Sequence, residues 1–158
     1  MITPATTVFS EDRMYRYTLW REWGWNATGN YAAFIGLNPS TADESNDDPT
    51  IRRCIDYAKR WGYDGLMMLN LFAYRSTSPL VMKAYSEPVG PDNDRWLASH
   101  QQTAKVIVAA WGNDGYHMGR SAQVRALIPN LHCLRVTSTG HPWHPLYLPK
   151  TLTPIPLP

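Results

Sequence analysis

The sequence predicts an α/β domain: a mainly parallel four-stranded sheet with helices on both faces and an antiparallel strand at its N-terminal edge. Three observations predict it. Short, largely apolar runs occur at residues 31–37, 65–71 and 105–110, with a more mixed one at 131–136, the pattern of strands buried on both faces. Stretches of helical spacing fall between them, which makes a parallel sheet with crossover helices the economical arrangement. Each run also ends in polar punctuation, and right-handed crossovers deliver those ends to one edge of the sheet.

Residues 1–11 read as a loose arm. From 13 to 23, RMYRYTLWREW alternates aromatic and β-branched residues with Arg, which favours a strand. The turn GWNATGN at 24–30 then returns the chain into the 31–37 strand, so the two are expected to pair antiparallel. After Leu37 the chain breaks at Asn38-Pro39 and runs through a loop rich in Asn, Asp, Ser and Thr to Asp48-Pro49. That pair is an N-cap followed by Pro at the first helical position. Ile51, Cys54, Ile55, Ala58 and Trp61 recur at helical spacing, and Gly62 stops the helix. The run GLMMLNL at 65–71 is the second core strand and carries Asn70 near its end.

Residues 73–91, with three prolines, read as irregular, the kind of long loop that is functional or mobile. Asp92 is expected to cap a helix holding Trp96 and Leu97. KVIVAA at 105–110 is the third core strand, ending in Trp111-Gly112-Asn113, and a helix follows around 121–128 with Val124, Leu127 and Ile128 inward. The run at 131–136 is the fourth, and TSTGHPWHPLYLP at 137–149 is its C-terminal loop. The Pro-rich residues 150–158 read as an extended surface arm.

The length of 158 residues suits a single domain with its core at about 13–149. Two cysteines, Cys54 and Cys133, exclude a disulfide framework and a Cys-based zinc site. With no secretory pattern and no apolar stretch of membrane-spanning length, the expectation is a cytoplasmic protein without a membrane partner. A net charge of +2 does not by itself signal nucleic acid, although eleven Arg against four Lys favour planar contacts to phosphate or carboxylate. Base composition of the genome would produce the same skew.

The candidate chemistry gathers at the shared edge: Asn38, Asn70, Trp111-Gly112-Asn113, and His141 with His144. An Asn carboxamide is neither acid nor base, but it can orient water or read the donors and acceptors of a base edge. Taken alone, Asn38 caps a turn just as well. An imidazole at that edge can donate a hydrogen bond to an oxygen gaining negative charge. HPWH spaces two imidazoles three residues apart, but Pro142 and Pro145 exclude a helix there and no third ligand is evident, so neither metal nor cofactor is expected. Arg52 and Arg53 stand in the first turn of their helix, against its dipole, and serve either a ligand phosphate or simply a solvated face. Arg75 is a third candidate for phosphate. Ser40 lacks the neighbours of an activated nucleophile, and no Gly-rich phosphate loop is present.

The segments YRYTLWR, IGLNPSTAD, NDDPTIRRC, WGYDGLMMLNLFAYR, AAWGNDG and HPLYLP together resemble a bacterial and phage family known as domain of unknown function 1643. A more distant resemblance is to the uracil-DNA glycosylase superfamily, which implies a three-layer sandwich. Gly36-Leu37-Asn38-Pro39 is similar to the first motif of the mismatch-specific branch, which implies that Asn38 positions the attacking water, with Pro39 and Ser40 beside the substrate. Leu69-Asn70 resembles the segment whose Asn reads the uracil edge. Residues 108–112 are similar to a strand ending in Trp-Gly, and His144-Pro145-Leu146 to the motif whose His bonds the departing base. The departures are Asn38 where the main branch has its catalytic Asp, Ser40 for the usual Gly, and bulky Leu146-Tyr147-Leu148 for a small Ser-rich wedge. Tyr74 and Phe72 are candidates for the aromatic that stacks on the base. The resemblance implies a hydrolase of the N-glycosylase type acting on a uracil-like or modified base, in DNA or as a nucleotide or nucleoside. A non-catalytic module binding a nucleotide or modified DNA on the same fold is the alternative.

Overall fold

The structure, a computed structural model, describes residues 5–158. It is an α/β protein built on one mixed sheet of seven strands in the order β1-β2-β4-β3-β5-β6-β7. The strands are β1 (Val8–Phe9), β2 (Arg16–Glu22), β3 (Tyr31–Gly36), β4 (Gly65–Asn70), β5 (Val106–Ala109), β6 (His132–Cys133) and β7 (Ile155–Pro156). The pairings β3 with β4, β3 with β5 and β5 with β6 are parallel. Those at both margins, β1 with β2, β2 with β4 and β6 with β7, are antiparallel.

Every residue of β3 and β4 is buried, because helices cover both faces. On one face α1 (Pro49–Arg60) sets Ile51, Cys54 and Tyr57 against Phe34, Leu66, Met68 and Val108. On the other, Met82 of α2 (Pro79–Ala84), Leu97 of α3 (Asn93–Gln101) and Val124 of α4 (Arg120–Leu127) pack on Ile35, Met67, Leu69 and Ile107. The split between Phe34 and Ile35, or Met67 and Met68, is the two-residue alternation of a strand. Among the described residues no helix is long and apolar enough to cross a membrane.

The α1 boundaries follow from local chemistry. Asp48 accepts a hydrogen bond from the Ile51 N–H at 2.9 Å, Pro49 opens the first turn, and Gly62 ends the helix at φ +87°. The Gly62 N–H donates to the Lys59 carbonyl and the Tyr63 N–H to the Ala58 carbonyl, the double closure that a left-handed glycine permits.

Several expectations are corrected. β2 does not pair with β3: Leu19 lies opposite Met68 and Glu22 opposite Gly65, on β4. Both edges of β3 are already taken by β4 and β5, so the connection from β2 passes the start of β4, where the Trp23 and Gly24 N–H groups bond the Asp64 carbonyl. The irregular stretch after Ala73 contains α2, whose Ser78 side chain accepts from the Val81 N–H. Asp92 precedes α3 without making a capping bond. The described part of the N-terminal arm includes β1, and residues 1–4 of it lie outside the described residues. The C-terminal arm is tied to the sheet: β7 pairs with β6, and the Leu157 N–H donates to the Leu131 carbonyl.

Candidate functional site

β3 passes the chain to α1 on one face and then to β4 on one side, whereas its neighbour β5 passes it to α4 on the other face and then to β6 on the other side. The crevice beyond the C-terminal ends of β3 and β5 is therefore a topological switch point, where open α/β sheets bind ligands. A cavity of about 360 Å³ occupies it, within the range of small-molecule sites. Its wall takes Asn38 from the end of β3, Asn70 from β4, Trp111 and Gly112 after β5, His144 and Tyr147 from the C-terminal loop, and Ser40.

The Asn38 carboxamide has a defined orientation. Its Nδ2 lies 2.9 Å from the Ser76 carbonyl oxygen and 3.2 Å from that of Pro39. Carbonyls only accept, so this end must be the NH₂. No described residue donates to its Oδ1, which is left as an acceptor for a ligand or a water. Asn70, 2% exposed, has the opposite arrangement: its Oδ1 accepts from Arg16 Nη2 at 3.3 Å, and its NH₂ has no partner among the described residues. An ideal Cβ on Gly36 would lie 2.9 Å from Asn70 Nδ2. Glycine at that position is what admits the amide.

The Leu146 N–H donates to His144 Nδ1 at 3.2 Å, which in the neutral ring leaves the proton on Nε2 and makes that nitrogen a donor. Burial pushes the imidazole below its ordinary pKa, and attraction to Asp48 opposes that only in part. Neutral imidazole at neutral pH is the result. Trp111 is 2% exposed and belongs chiefly to the core. Gly112 turns the chain at φ +73° and donates its N–H to the Pro142 carbonyl at 2.8 Å.

Other candidates lie elsewhere. Arg52 bonds the Asp47 carbonyl, Arg53 that of Leu148, and Arg75 that of Arg13, and none of the three lines the cavity. His141 and Pro39 also stand outside its wall; the Pro39 carbonyl accepts from Asn38 and from the Ser76 N–H. Phe72 is fully buried, and Tyr74 stacks on Tyr85 with ring centroids 3.9 Å apart, so the aromatic surface of the cavity comes from Trp111 and from Tyr147, which is 73% exposed. Among the described residues no group of three or more His, Cys, Asp or Glu side chains is placed to hold a metal.

Sequence reasoning missed three charged groups in this wall, Asp48, Arg16 and Asp114, the last of them paired with Lys83. Asp48 reads as a helix cap and is one, but only its Oδ1 is taken by the Ile51 N–H, and its carboxylate also faces the cavity. Arg16 is a guanidinium 2% exposed at the first position of β2, in that strand's buried half. The available signal was an Arg flanked by Tyr15 and Tyr17 in an aromatic run.

Residues 16–146 match the profile of a family described as "Protein of unknown function (DUF1643)". No curated protein and no solved structure matches the chain.

Proposed function

Because that match takes in most of the chain, the protein belongs to the DUF1643 family, and from this premise we propose that it is a glycosylase-like hydrolase acting on a uracil-like or modified nucleobase. The observation that carries the reading is the joint presence of Asn38, Asn70, His144 and Asp48 around one cavity at the switch point. The run of parallel strands β4-β3-β5-β6 supports the finer reading of a uracil-DNA glycosylase-like sandwich.

In this reading a water held by Asn38 Oδ1 attacks the sugar C1′, and the Asp48 carboxylate accepts its proton. The C1′–N bond breaks with its electron pair passing to the base. His144 Nε2–H donates a hydrogen bond to the base oxygen on which the charge collects, a group whose neutral state is suited to donation rather than ion pairing. The Asn70 NH₂ reads an acceptor on the base edge. In duplex DNA the base would have to leave the stack to reach these groups, and Tyr147 offers it an aromatic face at the cavity.

The test is incubation with oligonucleotides carrying uracil, mismatched thymine and hypermodified pyrimidines, followed by alkaline cleavage at abasic sites. Strand breaks are expected with at least one substrate. They should disappear in Asn38→Ala and fall by about a hundredfold or more in Asp48→Asn, the size of a lost general base. Asn caps helices as well as Asp does, so the second variant should melt at the wild-type temperature. A second reading, a non-catalytic module binding a nucleotide or modified DNA, is favoured by the carboxamides of the wall, Asn38, Asn70 and Asn113, which are neither acids nor bases. Salt-dependent binding without abasic product across the whole panel would select it.

A further inference from the structure

Arg16 sits on the wall of the cavity with its charge unanswered. A guanidinium presents five N–H donors and accepts nothing. The Ala42 carbonyl takes one from Nη1 at 3.1 Å and Asn70 Oδ1 takes one from Nη2 at 3.3 Å. The Nε–H is buried and has no partner among the described residues, and no ion pair among them includes Arg16. Burial pushes its pKa down to about 10, with attraction to Asp48 offsetting only part of the cost. At neutral pH the group is still a cation.

The other charges at the cavity do not resolve this. Asp114 is engaged by Lys83 Nζ at 2.7 Å. Asp48 lies beyond ion-pair distance of Arg16 and has one oxygen committed to the helix cap. His144 is held toward its neutral form. A buried cation without a partner is costly, and the fork of Nε and Nη groups matches a planar or tetrahedral oxyanion.

We propose that Arg16 is the receptor for an oxyanion carried by the ligand, a carboxylate or a phosphate, seated beside the Asn70 amide. Under the nucleobase reading, on which the choice of heterocyclic probes rests, this narrows the ligand to an acid-substituted base or a nucleotide over the neutral base or nucleoside. Arg16 also holds the Asn70 carboxamide by its oxygen, so the anion site and the base-reading amide form one unit.

The experiment is isothermal titration of the full chain at fixed ionic strength with two ligand pairs. Uracil is compared with uracil-6-carboxylate, and 2′-deoxyuridine with its 5′-monophosphate. The charged member of one pair should bind about tenfold tighter or more, the size of a hydrogen-bonded ion contact, and the pair that responds identifies the source of the anion. The preference should vanish in Arg16→Met. Arg16→Lys, which keeps the charge and so protects the fold, should reduce the preference without abolishing it, and this arm decides if the Met variant does not fold. Inorganic phosphate alone should raise the melting temperature of the wild type and not of Arg16→Met.

If no heterocycle binds yet phosphate still stabilises the wild type alone, the nucleobase reading fails and the anion receptor stands. Equal affinity within both pairs together with no phosphate effect overturns the receptor, as does an anion preference that survives intact in Arg16→Met. Where the receptor is overturned in one of these last two ways, abasic-site formation on DNA would still support the enzymatic reading, so the two failures are told apart.

Discussion

Adding one methyl group at Gly36 is the smallest change that reaches the cavity. The new Cβ would lie 2.9 Å from both Asn70 Nδ2 and Met68 Cε. Met68 can swing away, but Asn70 is held through its oxygen by Arg16. Gly36→Ala should therefore cost about 1–3 kcal/mol as an overpacked site and weaken binding of the nucleobase probes, measured by urea melts and by calorimetry. Away from the cavity, His100 is fully buried, with Nδ1 2.9 Å from the Tyr31 hydroxyl and Nε2 without a partner among the described residues. Burial alone lowers its pKa to about 4. Above about pH 6.5, the ordinary value, the imidazole is neutral whether the chain is folded or not. As the pH falls toward 4 the unfolded chain takes up the proton first, and stability should decline by about 3 kcal/mol in all. Urea melts at pH 7 and pH 4 measure the decline, and His100→Gln should flatten it.

At the scale of elements, the loop between β3 and α1 is held by arginines of β2 and of the turn before it. Arg21 bonds the Asp47 carboxylate at 2.8 Å and the Asp43 and Asn46 carbonyls at 2.6 and 3.0 Å. Arg13 grips Glu44 with two bonds of 2.8 Å, and Arg16 reaches Ala42. Arg21→Ala should speed amide exchange across residues 43–47 and cost about 1–2 kcal/mol, whereas Arg13→Ala, which breaks an exposed pair, should leave the melting temperature close to that of the wild type. This loop also shows what sequence can and cannot convey. Asp48-Pro49 and Gly62 are local signals, and α1 lies between them as expected. The partner of β2 is a tertiary fact, because alternation marks a strand without naming its neighbour. α2 escaped because six residues with one buried side chain, Met82, are too few to show a period. The ends of β3, β4 and β5 were legible as site positions because polar residues interrupt apolar runs there. Arg16 was not, since a strand from the far side of β4 brings it to the cavity.

At the scale of the whole molecule, the segment after Pro149 closes the sheet. Tyr57 donates to the Pro149 carbonyl, Trp61 Nε1 to that of Leu152, and Leu152 and Leu157 pack against the two core clusters. Truncation after Pro149 uncovers the outer edge of β6 and those apolar contacts. A loss of roughly 2 kcal/mol or more, with aggregation through the bare edge, is the expected outcome, read by thermal melts and light scattering. β1 and β7 lie at opposite margins of the sheet, six strand spacings apart, roughly 29 Å at about 4.8 Å each. Tension applied between handles at Val8 and Ile155 would thus run across the ladders and peel them like a zipper, opening the two-residue pairings at the rims before the central ribbons give way.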